Sequence, residues 1–129
     1  MLDAKVTVKG EPDARALIKE FHFEGEIDLI VLSNTAKRIS DKLSKSEKIN
    51  VNEVLAIYLN YFIFGLKSNT KISEMSTHIS KLLSYEQVMI GVPETLTEIR
   101  IDITGDGISE SRIVLNNPIP TPKYGIYEC

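Results

Sequence analysis

Asn50-Val51-Asn52-Glu53-Val54-Leu55-Ala56-Ile57-Tyr58-Leu59-Asn60-Tyr61-Phe62-Ile63-Phe64-Gly65-Leu66 opens on an N-cap residue with Glu53 three positions later. In that arrangement the Asn side chain accepts from the first helical turn while the Glu side chain returns a hydrogen bond to the cap. The helix that follows, Val51 to about Leu66, is apolar nearly all round: Val54, Leu55, Ile57, Leu59, Phe62, Ile63 and Phe64 leave little for solvent. Such a helix sits at the centre of a cluster, with partners on several sides. Its apolar run is broken by Asn60 and falls short of the roughly 20 residues that span a bilayer.

Upstream, Ile27, Ile30 or Val31, Leu32, Ala36, Ile39 and Leu43 recur at three- and four-residue steps, opposite Lys37, Asp41, Lys42 and Lys45. This pattern predicts an amphipathic helix from about 26 to 45, joined to the central one by the polar run Ser44 to Lys48. Before it, Ala4 to Val8 alternates as a short strand ended by Gly10, and Pro12 suits the first turn of a helix reaching about His22. His22 has no second ligand at helical spacing, so it reads as a packing residue at that helix end.

Downstream, a third helix is expected from near Lys71, with Ile72, Met75, Ile79, Leu82 and Leu83 on one face; His78, beside that stripe, has a surface or half-buried structural role. Ser84, with Gln87 three residues on, caps a short helix that stops at Gly91, because Val92-Pro93 cannot continue it; one more turn through Leu96 is compatible with Pro93. The period then changes. Ile99, Ile101 and Ile103 alternate with Arg100 and Asp102, and after Gly105-Asp106-Gly107 the segment Arg112 to Leu115 resumes the pattern, which makes a β-hairpin. Pro118, Pro120 and Pro122 give the last stretch an extended, Pro-rich character. The fold class is therefore α+β: about four helices, then a C-terminal hairpin and tail.

Composition bounds the function. The 129 residues carry 15 basic and 18 acidic side chains, a net charge of −3. That removes the basic field on which sequence-independent nucleic-acid binding depends. A single Cys excludes an intrachain disulfide and a Cys-rich metal cage, which fits a cytoplasmic setting. The start Met1-Leu2-Asp3-Ala4-Lys5 lacks the pattern of a signal peptide, and no membrane partner is expected. Asp102 to Gly107 imitates the opening of a calcium loop, but Ile113 stands where the closing bidentate Glu is required, so it reads as a hairpin turn. Glu24 with Glu26, and Glu94 with Glu98, are ordinary solvated acids. With two histidines in separate elements and no nucleophile, base or phosphate loop, no catalytic or metal-binding residue is assigned.

The segment Leu83-Ser84-Tyr85-Glu86-Gln87-Val88-Met89-Ile90-Gly91-Val92-Pro93-Glu94 resembles the signature of the urease gamma subunit family, Leu-Thr-x-Glu-Gln-Val-Met-x-Gly-Val-Pro-Glu. The likeness runs back without a gap to Lys48-Ile49-Asn50, with Glu53 and Ala56 in place. It runs forward through Glu98-Ile99 and, with one extra residue, to the Asn117-Pro118-Ile119 ending. It covers about residues 26 to 119, between an N-terminal extension (1–25) and a C-terminal tail (120–129). The resemblance implies a small subunit that packs with beta and alpha partners in a trimer of heterotrimers hydrolysing urea to ammonia and carbamate, with both nickel ions in the alpha subunit. Glu86, Gln87, Met89, Gly91, Pro93, Glu94, Asn117 and Pro118 become candidate interface or signature positions. Gly91 and Pro93 would shape the turn, Val88 and Met89 would offer apolar surface, and Glu86, Gln87 and Glu94 would cap or bond across subunits.

The chain departs from the family at Asn116, where His is usual, and at Phe64, Leu66 and Thr77-His78. The alternative is therefore a urease-gamma-like interaction module in a different assembly, without ureolytic function.

Overall fold

The computed structural model describes residues 1–10, 17–105 and 107–120. Strands β1 (Leu2–Lys9) and β2 (Leu17–Phe23) precede helices α1 (Glu26–Ser44), α2 (Val51–Lys67) and α3 (Ile72–Ile79), a 3-10 turn (Tyr85–Gln87), the short α4 (Val92–Thr95), and strands β3 (Glu98–Gly105) and β4 (Ile108–Asn116). The expected α+β fold is present, with one enlargement. The C-terminal hairpin belongs to a four-stranded antiparallel sheet in the order β2-β1-β3-β4.

Strand periodicity builds the core. Leu2, Ala4, Val6 and Val8 all point to one face of β1 and are buried, in line with Ile99, Ile101 and Ile103 of β3 and Ile113 and Leu115 of β4. The helices cover that face. Val54, Leu55, Tyr58, Leu59, Phe62 and Ile63 of α2 join Leu29 and Ile39 of α1 and Met75 and Ile79 of α3 in one continuous cluster with the strand residues. The central position expected for α2 is thus observed, and so is its cap. Asn50 Oδ1 accepts from the Glu53 N–H at 2.9 Å, and Glu53 Oε1 accepts from the Asn50 N–H at 3.0 Å. Glu53 also takes the Lys42 ammonium at 2.7 Å, fastening the end of α1 to the start of α2. Burial raises the Glu53 pKa, but the Lys42 and Asn50 hydrogen bonds and the Lys42 charge outweigh it, so the carboxyl rests below its ordinary value.

Three expectations are corrected. The helix ending near His22 is instead strand β2 over its described part; Pro12 lies outside the described residues. Seven successive residues of β2 pair with β1, from Val8·Leu17 to Leu2·Phe23. This long-range partner supplies the backbone hydrogen bonds that local spacing had assigned to a helix. In α1, the residues that face the core are Leu29, Leu32, Ala36, Ile39 and Leu43, whereas Ile27, Ile30 and Val31 are exposed. At 100° per residue these are two opposite stripes, which a single chain of three- and four-residue steps had merged. α3 ends at Ile79, so Leu82 and Leu83 pack from the following turn rather than from the helix.

At the other end, the β3–β4 register slips by one between Ile103·Ser111 and Gly105·Ile108, so β4 takes three steps against two. This bulge lies at the turn end of the hairpin and leaves the Ile99·Leu115 pair in register. Pro118 and Ile119 are buried after the turn at Asn117 (φ 46°). The remainder of the Pro-rich tail, with Pro122, lies outside the described residues.

Candidate functional site

The segment from Ser84 to Leu96 joins α3 to β3, and its backbone bonds fix it as one rigid turn system. Gln87 Oε1 accepts from the Ser84 N–H at 2.9 Å, while the Gln87 N–H donates to Ser84 O at 3.1 Å. The two hydrogen bonds close the 3-10 turn with the capping residue the sequence indicated. Ile49 then donates to Gln87 O at 3.1 Å and accepts from the Met89 N–H at 2.9 Å, an isolated parallel bridge that pins the segment to the α1–α2 connection. The Lys48 ammonium adds a hydrogen bond to Glu86 O.

Gly91 sits at φ +92°, a conformation that costs an L side chain. It lies before α4 and opens that helix, rather than ending the preceding turn. The Val92 N–H donates to Met89 O across it at 3.1 Å, and Thr95 Oγ1 returns to Gly91 O at 2.8 Å. Pro93 occupies the first turn of α4, where its missing N–H has no consequence.

This backbone path sorts the side chains. Val88, Val92, Pro93 and Leu96 are buried. Val88 is thus core, bridged to Ile49, and not part of the adaptable surface expected of it. Tyr85, Met89 and Ile90 are turned outward, and Ile90 is exposed over its full extent, 102%. Glu86 and Glu94 are also exposed. Of the eight candidate positions, Gln87, Gly91, Pro93 and Pro118 therefore act inside the chain, and Glu86, Met89 and Glu94 face out.

Asn117 is exposed, and its N–H donates to Thr97 O at 2.7 Å. Because Ile119 is buried just beyond it, the chain returns so that Pro120 lines an open depression of about 590 Å³ with Lys81, Leu83, Tyr85 and Glu86. The start of the 83–94 signature and the chain just past the 117–119 ending, far apart in sequence, are thus brought together. Sequence reasoning passed over Tyr85 and Ile90. A large apolar residue directly before a glycine in a tight turn was the available signal for Ile90. Met89 and Ile90 supply flexible and branched apolar surface, and the carboxylates beside them can accept hydrogen bonds from another chain.

The histidines stand elsewhere. His78 is exposed and its Nδ1 lies 3.0 Å from the Tyr61 hydroxyl. His22, exposed on β2 rather than packed at a helix end, contacts Asp3 through Nδ1, with Glu24 4.0 Å from Nε2. Among the described residues, no group of three or more His, Cys, Asp or Glu could hold a metal ion. Asp102, the first position of the calcium-like stretch, lies in β3 and accepts from Arg112 Nε of β4. Among the described residues no helix is long and apolar enough to cross a membrane.

The family model described as urease, gamma subunit, matches residues 21–119. A urease subunit gamma of Halalkalibacterium halodurans is 30% identical over 95 residues, covering 73% of this chain and 93% of that protein.

Proposed function

The chain belongs to the urease gamma subunit family, and on that premise we propose that it is the structural, non-catalytic gamma-type subunit of a nickel-dependent urease. That enzyme would hydrolyse urea to ammonia and carbamate in the cytoplasm, as a trimer of heterotrimers with alpha and beta subunits. The observation that carries this reading is the rigid turn of residues 84–96, which holds Tyr85, Met89 and Ile90 in solvent by intrachain hydrogen bonds. A fully exposed branched side chain on a preorganised turn loses little entropy when a partner buries it. Glu86 and Glu94 flank these residues as a polar rim.

In this reading the metal is held by a partner. The two histidines lie on separate elements, and among the described residues no group of three or more His, Cys, Asp or Glu could hold a metal ion. The contribution of this chain is to hold a surface in shape, and the chemistry at nickel is assigned to the alpha subunit.

Co-expression with the alpha and beta subunits tests the proposal. The expected result is a complex with urease activity that contains this chain. Ile90→Glu should lower co-purification and activity together, by about tenfold or more, while the isolated variant keeps its fold. Urea hydrolysis by the isolated chain, or stoichiometric nickel uptake by it in calorimetry, would overturn the reading.

A further inference from the structure

Among the described residues β2 ends the sheet on one side, and beside Glu20 and His22 it exposes apolar side chains. Leu17 and Ile18 are each 52% exposed, and Phe21 is exposed as well. Natural edge strands are commonly blunted by charge, proline or cover. Here Lys19, the one cation of β2, is drawn inward by its hydrogen bond to Asn52 of α2.

The outer face of the sheet carries a row of alternating charge in register: Arg112 of β4, Asp102 of β3, Lys5 of β1 and Glu20 of β2. The neighbouring row runs from Thr104 through Asp3 to His22. Both rows stop at the free edge, one on a carboxylate and the other on an imidazole. On the inner face, Phe21, Phe23, Val31, Leu32, Leu55 and Leu59 line an apolar depression of about 340 Å³ between β2, α1 and α2.

We propose that β2 pairs antiparallel with β2 of a second copy of this chain, about a two-fold axis at Phe21. A two-fold perpendicular to the sheet keeps inner residues opposite inner ones, so the axis must pass through a residue position and not between two. At Glu20 it would set two carboxylates opposite each other, and at Lys19 two ammonium groups. At Phe21 it sets Glu20 opposite His22 on both sides of the axis and continues each charge row into the other copy. Inside, the two Phe21 rings meet and close the apolar depressions of both copies. The contact is self-complementary and closes as a dimer with a continuous eight-stranded sheet.

The test is the mass of the 129-residue chain in solution. Light scattering on a sizing column at about 100 µM should give twice the chain mass, falling towards the monomer on dilution. Phe21→Glu should raise the dimer dissociation constant about thirtyfold or more, and Glu20→Lys should also raise it, by less. Ile30→Glu, on an exposed part of α1 away from β2, should leave it unchanged. Circular dichroism establishes that each variant is folded. As a second measurement, Phe21→Cys in a Cys129→Ser background should form an intermolecular disulfide under air, and Ile30→Cys in that background should not. A monomer at about 100 µM, a dimer insensitive to both β2 substitutions, or failure of the Phe21→Cys variant to cross-link overturns the proposal. If a different chain or residues 121–129 occupied this edge, the monomer result would follow.

Discussion

Strand β1 and the turn segment 84–96 are opposites. β1 lies wholly outside the family match, which begins at residue 21, yet its four inward side chains are buried at the middle of the sheet. The turn segment carries the signature by which the sequence resembles the family, yet Tyr85, Met89 and Ile90 stand in solvent. The contrast separates two demands on a sequence. β1 answers to this chain's own core, which any well-packed apolar strand could fill. In the proposed function the turn answers to a surface beyond the chain, where particular side chains must be presented in one geometry. Stability should therefore follow the first demand, and association the second.

Substitution in β1 gives the largest expected effect. Val8 is 3% exposed between Leu17 of β2 and Ile99 of β3. Val8→Asp places a carboxylate in the core with no cation facing it across either strand and should cost about 4 kcal/mol or more, read by urea denaturation monitored by circular dichroism. A loss under about 1 kcal/mol would mean that β1 is dispensable and that the family-matched residues fold around it.

Next comes the point where the two regions touch. A Cβ at Gly10, just past β1, would lie 2.2 Å from the carbonyl oxygen of Thr95 in α4. Backbone has to move to relieve that, so Gly10→Ala should cost about 2 kcal/mol, measured by the same denaturation. If the cost is real, it should be accompanied by faster amide exchange at Thr95 and Leu96, because the turn rests against the end of β1.

How much of this was legible depends on the range of the forces involved. α2 was readable almost to the residue, since its capping box and all-round apolar surface are local. The Ser84–Gln87 cap was readable for the same reason. β2 was not. Leu17, Ile18 and Phe21 have spacings that suit one helical face, and only pairing with β1 decides for a strand. The double stripe of α1 was present in the sequence but was resolved only by the neighbours, which cover Leu29 and leave Ile30 in water. At the site, the conformational roles of Gly91 and Pro93 followed from residue type. Which of Val88, Met89 and Ile90 turns inward did not, because the bridge to Ile49 sets it.

A smaller effect is expected at the α1–α2 joint, which lies in neither compared region and so measures the rest of the scaffold. Asn50→Ala should cost about 1 kcal/mol by loss of the cap. The depressed Glu53 pKa gives the joint a pH signature. A carboxyl whose folded pKa is below its unfolded value stabilises the protein above the unfolded value, and that contribution disappears as pH falls through the folded one. The stability difference between wild type and Glu53→Gln should therefore be largest near neutrality and shrink on acidification below the ordinary carboxylate range. A difference that stays constant with pH would assign Glu53 a packing role only.

The smallest effect on stability should come from the most exposed large apolar side chain among the described residues. Ile90→Ser removes apolar surface that the fold does not bury, so the unfolding free energy should stay within about 0.5 kcal/mol of wild type. Association should respond in the opposite way. A side chain held in water by a closed turn, with Gly91 at positive φ behind it, has no stabilising contact to lose within the chain. If Ile90→Ser leaves stability unchanged and weakens assembly with the proposed alpha and beta partners, the two demands are separated at a single residue. If instead it destabilises the isolated chain by as much as Gly10→Ala, Ile90 is part of the core and the outward reading of the turn is wrong. An equal, small effect on both would place the partner surface elsewhere and leave the turn as scaffold.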